Sequence, residues 1–382
     1  MANTLKLGAG KWATGTDTVL AFNDENNNFK PLPFDFSRAS SATVVNQSGL
    51  IETVGSGTPR IDFKDDAKGA LLLEPQRTNA IRYSSDFSQW SIRSNVTINS
   101  NVGLAPDGTL SADRIVFNGT TNARVEDTAQ GIDAFSYTND RPISVWLKSE
   151  SGTTTVEFGS SSSYLLTVTV TEEWQRFTYI SKQGFARIKS DNATSVLAWG
   201  YQFETNGDVS LSYATSYIPT SGSAVTRVGD VCNNGGNAQV INSTEGVLYL
   251  EGSALADDVL DKRIFLSDGT MNNYVAIGYS RFAGNIIAEM VTGGVLQTVD
   301  WGATGVNKTN NNKFALSWGS GTMKFYVNGN QTNTESVTSP TGLNVLEFNT
   351  AVDTLVMYSN TRDLRVYNTA LTSAELQALT TI

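Results

Sequence analysis

Carboxylates are the main candidate groups for chemistry in this chain, because histidine is absent and Cys232 is the only cysteine. A Ser-His-Asp or Cys-His nucleophile, a Cys/His zinc site and an intrachain disulfide are therefore excluded. Acidic residues cluster at Asp65-Asp66, at Glu172-Glu173, and at Asp257-Asp258 with Asp261. Neighbouring side chains of a strand point to opposite faces, so such pairs do not form the facing carboxylates of glycoside hydrolysis. The sequence predicts solvated loop charges and no enzyme, with no catalytic residue, cofactor or metal ligand assigned.

A second group of candidates could bind a sugar at the rim of a β-sandwich through aromatic rings and Asn/Asp side chains. Its members lie close together in the last third of the sequence, at Tyr279, Phe282, Asn285, Asp300 and Trp301. The competing interpretation places Tyr279 and Trp301 in the core or against another subunit, and the frequent burial of aromatic side chains favours it. No dense Asp/Asn loop of the EF-hand kind is present, and calcium binding at a rim stays an open alternative.

The overall charge bears on the class of partner. The 382 residues carry a formal net charge of −10. This acidity argues against a protein whose main role is to bind nucleic acid, and against docking on an anionic membrane surface. The sequence contains no signal-peptide-like segment and no apolar run of about 20 residues. We therefore expect synthesis and assembly in a host cytoplasm.

The composition, rich in Gly, Ser, Thr and Asn, is typical of β-proteins, and alternating patterns predict individual strands. The clearest strands are predicted at 143–148, 165–170, 174–180 and 197–204. In the last of these, alternation places Leu197, Trp199, Tyr201 and Phe203 on one face. Nearer the N-terminus, a short hairpin is predicted from 42–45 and 50–54, joined by a turn at 46–49. A hairpin of this size needs a partner to pack on.

Several wordlike phrases in the first 230 residues point to one family. They are SRASSAT with GLI and PRID, EPQRTN with SSDFSQW, QFE at 202–204, and ATSYIPT followed by TR and Asp230. Together they resemble structural proteins of tailed bacteriophages. The resemblance implies an irregular N-terminal attachment segment over 1–65 and a jelly-roll β-sandwich over 66–230. The strand that begins WQRF also resembles strands of carbohydrate-binding jelly rolls.

The last 150 residues predict a second sandwich. A Gly/Asn-rich linker is predicted over 231–245, and a β-sandwich over 246–382. Asn328-Gly329 indicates a type I′ hairpin turn after a strand that places Met323, Phe325 and Val327 on one face. The ending LRVYNTALTSAEL resembles the laminin-G or concanavalin A-like family. Its last residues predict a short helix that packs on the sheet, with the capping box and sheet-facing residues at Thr372, Glu375, Leu376 and Leu379.

The fold class predicted is thus all-β, with two tandem antiparallel β-sandwiches of jelly-roll type. The resemblance implies a fibre, spike or decoration subunit of a phage head or tail, located in the virion. It further implies a homotrimer that docks on a capsid or tail protein through residues 1–65 and adheres to host surface polysaccharide. A dedicated receptor-binding lectin module and a polysaccharide depolymerase are the two alternatives.

Overall fold

The computed structural model describes residues 2–28, 33–128, 139–161, 163–182, 185–207, 209–300, 305–349 and 355–382. These residues are almost entirely β-structure, and the strands pair antiparallel in several sheets, which confirms the predicted all-β class. None of the helices found there is long and apolar enough to cross a membrane.

The strands are numbered in chain order. The first group is β1 (Leu5–Gly8), β2 (Ala13–Gly15), β3 (Thr18–Leu20), β4 (Pro33–Ser37), β5 (Ala42–Val45), β6 (Ile51–Val54), β7 (Ile61–Asp62), β8 (Ala70–Leu72) and β9 (Arg77–Asn79). After a 3₁₀ turn at Phe87–Gln89 the second group is β10 (Ile92–Ser94), β11 (Val96–Leu104), β12 (Leu110–Asn118), β13 (Ala123–Asp127), β14 (Arg141–Lys148), β15 (Thr154–Gly159), β16 (Leu165–Val170), β17 (Gln175–Ser181), β18 (Ala186–Ser190), β19 (Ala193–Thr205) and β20 (Val225–Arg227). The third group is β21 (Val231–Asn233), β22 (Gly246–Ala254), β23 (Lys262–Ser267), β24 (Tyr274–Tyr279), β25 (Ile286–Thr292), β26 (Val295–Asp300), β27 (Asn312–Gly319), β28 (Thr322–Val327), β29 (Asn330–Ser336), β30 (Val345–Glu347) and β31 (Ser359–Tyr367), followed by helix α1 (Ser373–Thr380).

The first sandwich is built from the second group of strands. One sheet has the order β10-β13-β18-β15-β16, and the other has the order β11-β12-β19-β14-β17, with β9 and β20 joined to the end of β19. Apolar side chains from both sheets form one core, in which Trp90, Phe158 and Tyr201 are fully buried. The predicted strands at 143–148, 165–170, 174–180 and 197–204 all lie in this sandwich.

A bulge in β19 corrects one predicted face. Opposite β14, Trp199 pairs with Trp146 and Gln202 pairs with Ser144, so Gly200 and Tyr201 together oppose a single residue. Gly200 has φ of +64°, a left-handed conformation that glycine adopts at little cost. The extra residue inverts the alternation. Trp199 therefore packs on the outer face with Trp146, whereas Tyr201 lies in the inner core.

The second sandwich recruits strands from both ends of the chain. One sheet has the order β29-β28-β27-β22-β31-β8-β7, with β1 also paired to β31, and the other has the order β26-β25-β24-β23-β30. A smaller sheet, β2-β3-β4-β21, packs its apolar residues into the same core. Thus strands that precede the first sandwich complete the second one.

This arrangement bears on the predicted domain boundaries. Leu5 and Leu7 of β1, and Phe34 of β4, belong to the predicted attachment segment 1–65 and are fully buried in the core of the second sandwich. Cys232, in the predicted linker 231–245, is equally buried there, and Val240 and Ile241 follow it. The physical reason is that β31 offers an unpaired edge, which β1 and β8 cover by hydrogen bonding.

Three local predictions are confirmed. The hairpin of β5 and β6 forms with the predicted turn. Asn328 and Gly329 have φ values of +49° and +81° and join β28 to β29, as a type I′ turn requires. Helix α1 begins after Thr372, whose side chain and that of Glu375 form the reciprocal capping box.

Candidate functional site

A cleft of about 640 Å³ opens where the two sandwiches meet. This volume lies within the roughly 300–1,000 Å³ of small-molecule sites. The lining comes from both sandwiches and from the β5–β6 hairpin, which lies between them. Sequence-distant segments contribute to it, including 43–51, 62–65, 213–217 and 253–255.

One wall of the cleft is aromatic and belongs to the outer face of the first sandwich. Trp146 of β14 packs against Tyr217 with ring centroids 5.5 Å apart, and against Trp199 at 5.4 Å. Trp174, just before β17, is half-buried and extends this cluster, and its indole Nε1 donates to the carbonyl of Leu104 at 2.9 Å. Trp146, Trp199 and Tyr217 are buried, so Trp174 is the ring of this cluster that can stack against a flat apolar face of a ligand.

Arg176 lies beside this wall and adds a positive charge. It is two residues after Trp174 and opposite Trp146 in the β14–β17 ladder, so it shares their face of the sheet. Its guanidinium carbon lies 4.4 Å from the centre of the Trp146 ring. Its nitrogens donate to Ser144 Oγ at 2.9 and 3.2 Å and to the Thr215 carbonyl at 2.8 Å. Burial lowers the pKa of Arg176, yet an arginine stays charged under such a shift.

Carboxylates and amides occupy another part of the lining. Asp62 at the end of β7 accepts backbone N–H groups from Lys64 at 2.8 Å and from Val45 at 3.2 Å. Burial raises the pKa of Asp62, although these two hydrogen bonds oppose the shift. Asp65 and Asn360 also line the cleft. This part can accept hydrogen bonds from hydroxyl groups, the commonest polar group of a sugar.

A buried ion network adjoins the cleft, which Glu74 itself lines, and joins segments of the two sandwiches. Glu74 pairs with Arg60 at 2.6 Å and with Arg227 at 2.7 Å, and Asp230 pairs with Arg60 and with Arg38 at 3.1 Å. All five side chains are almost completely buried. Burial alone would raise the pKa of Glu74, but Arg227 and Arg60 hold it well below its usual range.

A third carboxylate, Glu204, continues the network towards Arg176. Glu204 accepts the backbone N–H of Thr215 at 2.7 Å and its hydroxyl at 2.8 Å, and it receives Gln202 Nε2 at 2.6 Å. Arg77 approaches Glu204 at 3.6 Å. These residues belong to the phrases SRASSAT, PRID, EPQRTN, QFE and ATSYIPT…TR…D. The phrases therefore share one structural role: they supply the buried polar joint that shapes the cleft.

Four of the five predicted sugar-binding residues lie in the described part of the chain, all at or beside strands β24 to β26. Tyr279 is fully buried, and its ring packs against Phe314 at 5.6 Å, so the core interpretation of this residue holds and it provides no rim aromatic. Phe282 is 49% exposed and shares a turn with Asn285, which lies between β24 and β25. Asp300, at the end of β26, accepts the hydroxyl of Thr332 at 3.1 Å.

Trp301 lies outside the described residues. None of the other four lines the cleft between the sandwiches. The site that sequence reasoning missed consists of Trp146, Trp174 and Arg176, with Tyr213 and Tyr217. One signal for it was present, because WQRF contains Trp174 and Arg176 at the two-residue spacing that places them on one strand face.

The described part of the chain contains no cluster of three or more Cys, Asp or Glu side chains that could hold a metal ion. Of the acidic clusters, Asp258 and Asp261 pair with Lys262 and Arg263 rather than with a second carboxylate. In the cleft, Glu74 is ion-paired and ionised. The arrangement can bind a ligand through stacking, hydrogen bonds and charge.

Comparison with known proteins gives partial matches only. No protein-family model matches the chain, and no curated protein matches its sequence. Among solved structures it is similar to the CBM40 domain of the Ruminococcus gnavus IT-sialidase bound to α2,3-sialyllactose, at 18% identity over 39% of this chain and 93% of that chain, with a TM-score of 0.33. It is also similar to domain 4 of AbnA, a GH43 extracellular arabinanase from Geobacillus stearothermophilus in complex with arabinotriose, at 14% identity over 45% and 83%, with a TM-score of 0.32. Matches this partial assign neither a ligand nor an activity to the chain.

Proposed function

We propose that this chain is a non-catalytic, glycan-binding subunit of a bacteriophage particle. The observation that carries the binding function is the cleft, which is lined both by the aromatic side chains Trp146 and Trp174 and by groups that accept hydrogen bonds, such as Asp62 and Asn360. Sugar rings have apolar faces that stack on aromatic side chains, and hydroxyl rims that need polar partners. A preformed cleft held by a buried ion network offers both without reorganisation.

The proposed location in a phage particle rests on the sequence phrases that resemble structural proteins of tailed phages. Such a subunit would be a fibre, spike or decoration protein, assembled in the host cytoplasm and self-associated as a homotrimer. Because strands β1, β3 and β4 pack their apolar residues into the core of the second sandwich, docking on a capsid or tail protein would use an exposed surface rather than a free N-terminal arm.

Substitution of Trp174 tests the binding function. On an array of bacterial surface oligosaccharides, we expect the full chain to bind at least one glycan, and Trp174→Ala to weaken that binding about 30-fold, as for loss of a central aromatic anchor. Trp12→Ala is a matched control, because Trp12 is also half-buried and its indole donates to a backbone carbonyl, that of Lys68, at 2.9 Å. Absence of binding at millimolar sugar, or an equal loss in both variants, would contradict the proposal.

The setting is tested separately by gold labelling of particles in a source lysate with an antibody to residues 246–382. Label at the tail tip would indicate a tail fibre, and label over the capsid would indicate a head fibre or decoration protein. Absence of label from every particle would contradict the virion setting while leaving the binding function open to its own test.

A further inference from the structure

Among the described residues, Arg176 is the charged side chain that lines the cleft beside Trp146 and Trp174, and not all of its N–H groups have hydrogen-bond acceptors. A guanidinium has five N–H donors in a planar fork. Three of these N–H groups donate hydrogen bonds, two of them to Ser144 Oγ and one to the Thr215 carbonyl. Both acceptors are neutral, and no carboxylate of the described residues lies within ion-pair distance of Arg176. Arg176 lines the cleft, and two of its N–H groups have no acceptor among the described residues.

The carboxylates of the buried network do not pair directly with Arg176. Glu204 and Glu74 favour its charged form through space, but their direct ion pairs are made with Arg77, Arg60 and Arg227. A ligand anion held at Arg176 would supply the direct partner that this side chain lacks.

From this geometry we infer that the cleft binds an acidic glycan, with a sugar carboxylate paired to Arg176 and the sugar ring stacked on Trp174. The inference rests on the proposed glycan-binding function and specifies its ligand class. Arginine presents two parallel N–H groups that match the two oxygens of a carboxylate. Asp62 and Asp65 lie in another part of the lining, where they would repel a second carboxylate but accept hydroxyl groups. The ligand is therefore oriented, with its acidic end at Arg176.

Matched pairs of acidic and neutral oligosaccharides test the inference. The probes are α-1,4-trigalacturonate with its methyl ester, and sialyllactose with lactose, each titrated calorimetrically into the full chain. We expect at least one acidic member to bind about 10-fold or more tightly than its neutral partner, as for a charge-assisted contact. Arg176→Gln should abolish that preference while leaving the affinity for the neutral partner within about 2-fold, and Arg176→Lys should retain part of it.

The control is Arg281→Gln, which removes an exposed arginine that does not line the cleft. Thermal melting of each variant establishes that it is folded. Equal affinity for acidic and neutral members, or a preference that persists in Arg176→Gln, would overturn the acidic ligand. If inorganic phosphate competes with trigalacturonate and the chain shows no preference for sugars with a carboxylate, the acidic-glycan inference is overturned in favour of a phosphate site. If the chain binds a neutral glycan and only Trp174→Ala loses that binding, this inference is refuted but the proposed function stands. If the chain binds no glycan at all, both are refuted.

Discussion

Several residues of the sequence phrases described above form buried ion pairs, and Glu74 is an example. It sits between Arg60 and Arg227 and also accepts the backbone N–H and the hydroxyl of Ser216, at 2.7 and 2.6 Å. A buried ion pair adds little net stability compared with an apolar pair, but the loss of one partner leaves an uncompensated charge. These residues therefore specify how the two sandwiches join.

The change Glu74→Gln should lower the free energy of unfolding by about 3–5 kcal/mol at pH 7, because two buried guanidinium groups lose their carboxylate. Urea denaturation measures it. Glu150→Gln is the matched control, since Glu150 pairs with Arg114 at the surface, and it should cost below about 1 kcal/mol. Similar losses in the two variants would contradict the role of the network.

The stabilisation by Glu74 also has a predicted pH dependence. The pKa of Glu74 in the folded state lies below its value of about 4.3 in the unfolded chain, so its stabilising effect is present above that value and disappears as the pH falls through the folded pKa. The difference between wild type and Glu74→Gln should therefore be full at pH 7 and shrink below about pH 4. A difference that stays constant down to pH 3 would show that Glu74 is not the ionised partner.

At the scale of elements, the bulge in β19 decides which face of the first sandwich can carry a site. With regular alternation, Trp199 and Tyr201 would share a face. The extra residue sends Tyr201 into the inner core and leaves Trp199 beside Trp146 and Tyr217 on the outer face. The aromatic wall of the cleft thus depends on a two-residue irregularity at Gly200.

Gly200→Ala should lower the free energy of unfolding by about 2–3 kcal/mol. The methyl group would lie 2.9 Å from Trp146 Cε3, and the residue would keep a φ of +64°. Gly152→Ala isolates the conformational cost, because Gly152 has φ of +60° with nothing within 4 Å of an added Cβ, and we expect it to cost about 1 kcal/mol. Thermal unfolding with tryptophan fluorescence measures both. Equal losses would mean that Trp146 does not crowd this position.

On the scale of the whole molecule, the order of the chain differs from the order of the domains. Strands β1, β7 and β8, which come before the first sandwich, complete the sheet of the second one beside β31. The first sandwich is therefore an insertion between the two parts of the second, and the cleft lies where the chain passes between them. Residues from 43 to 360 can meet in one site for this reason.

A fragment of residues 246–382, the second domain as the sequence delimits it, should fail to fold cooperatively. It lacks β1 and β8, and buried core residues such as Leu5, Leu7 and Leu71. Calorimetry and one-dimensional NMR of the fragment, with the full chain as control, measure this. A cooperative transition within a few degrees of that of the full chain would restore the simple tandem arrangement.

Much of the local structure could be predicted from the sequence. Period-two patterns gave the strands around Ile143, Leu165 and Trp174, Asn328-Gly329 gave a hairpin turn, and Thr372 with Glu375 gave a capped helix. Each of these depends on residues within a few positions of one another, because backbone conformation and capping are local. The absence of histidine likewise excluded whole classes of catalysis on composition alone.

Tertiary structure alone decided the rest. The sequence of the short strands in residues 1–65 does not indicate which strands they pair with. Pairing in this sheet joins residues hundreds of positions apart, as between β1 and β31. The same holds for the site: Trp174 and Arg176 are visible in WQRF, but only folding sets them against Trp146 and in front of the ion network. The sequence by itself determined the β-class, the turns and the capped helix, since these are properties of short segments. Which strands share a sheet, and what lines the cleft between the sandwiches, follow from long-range packing.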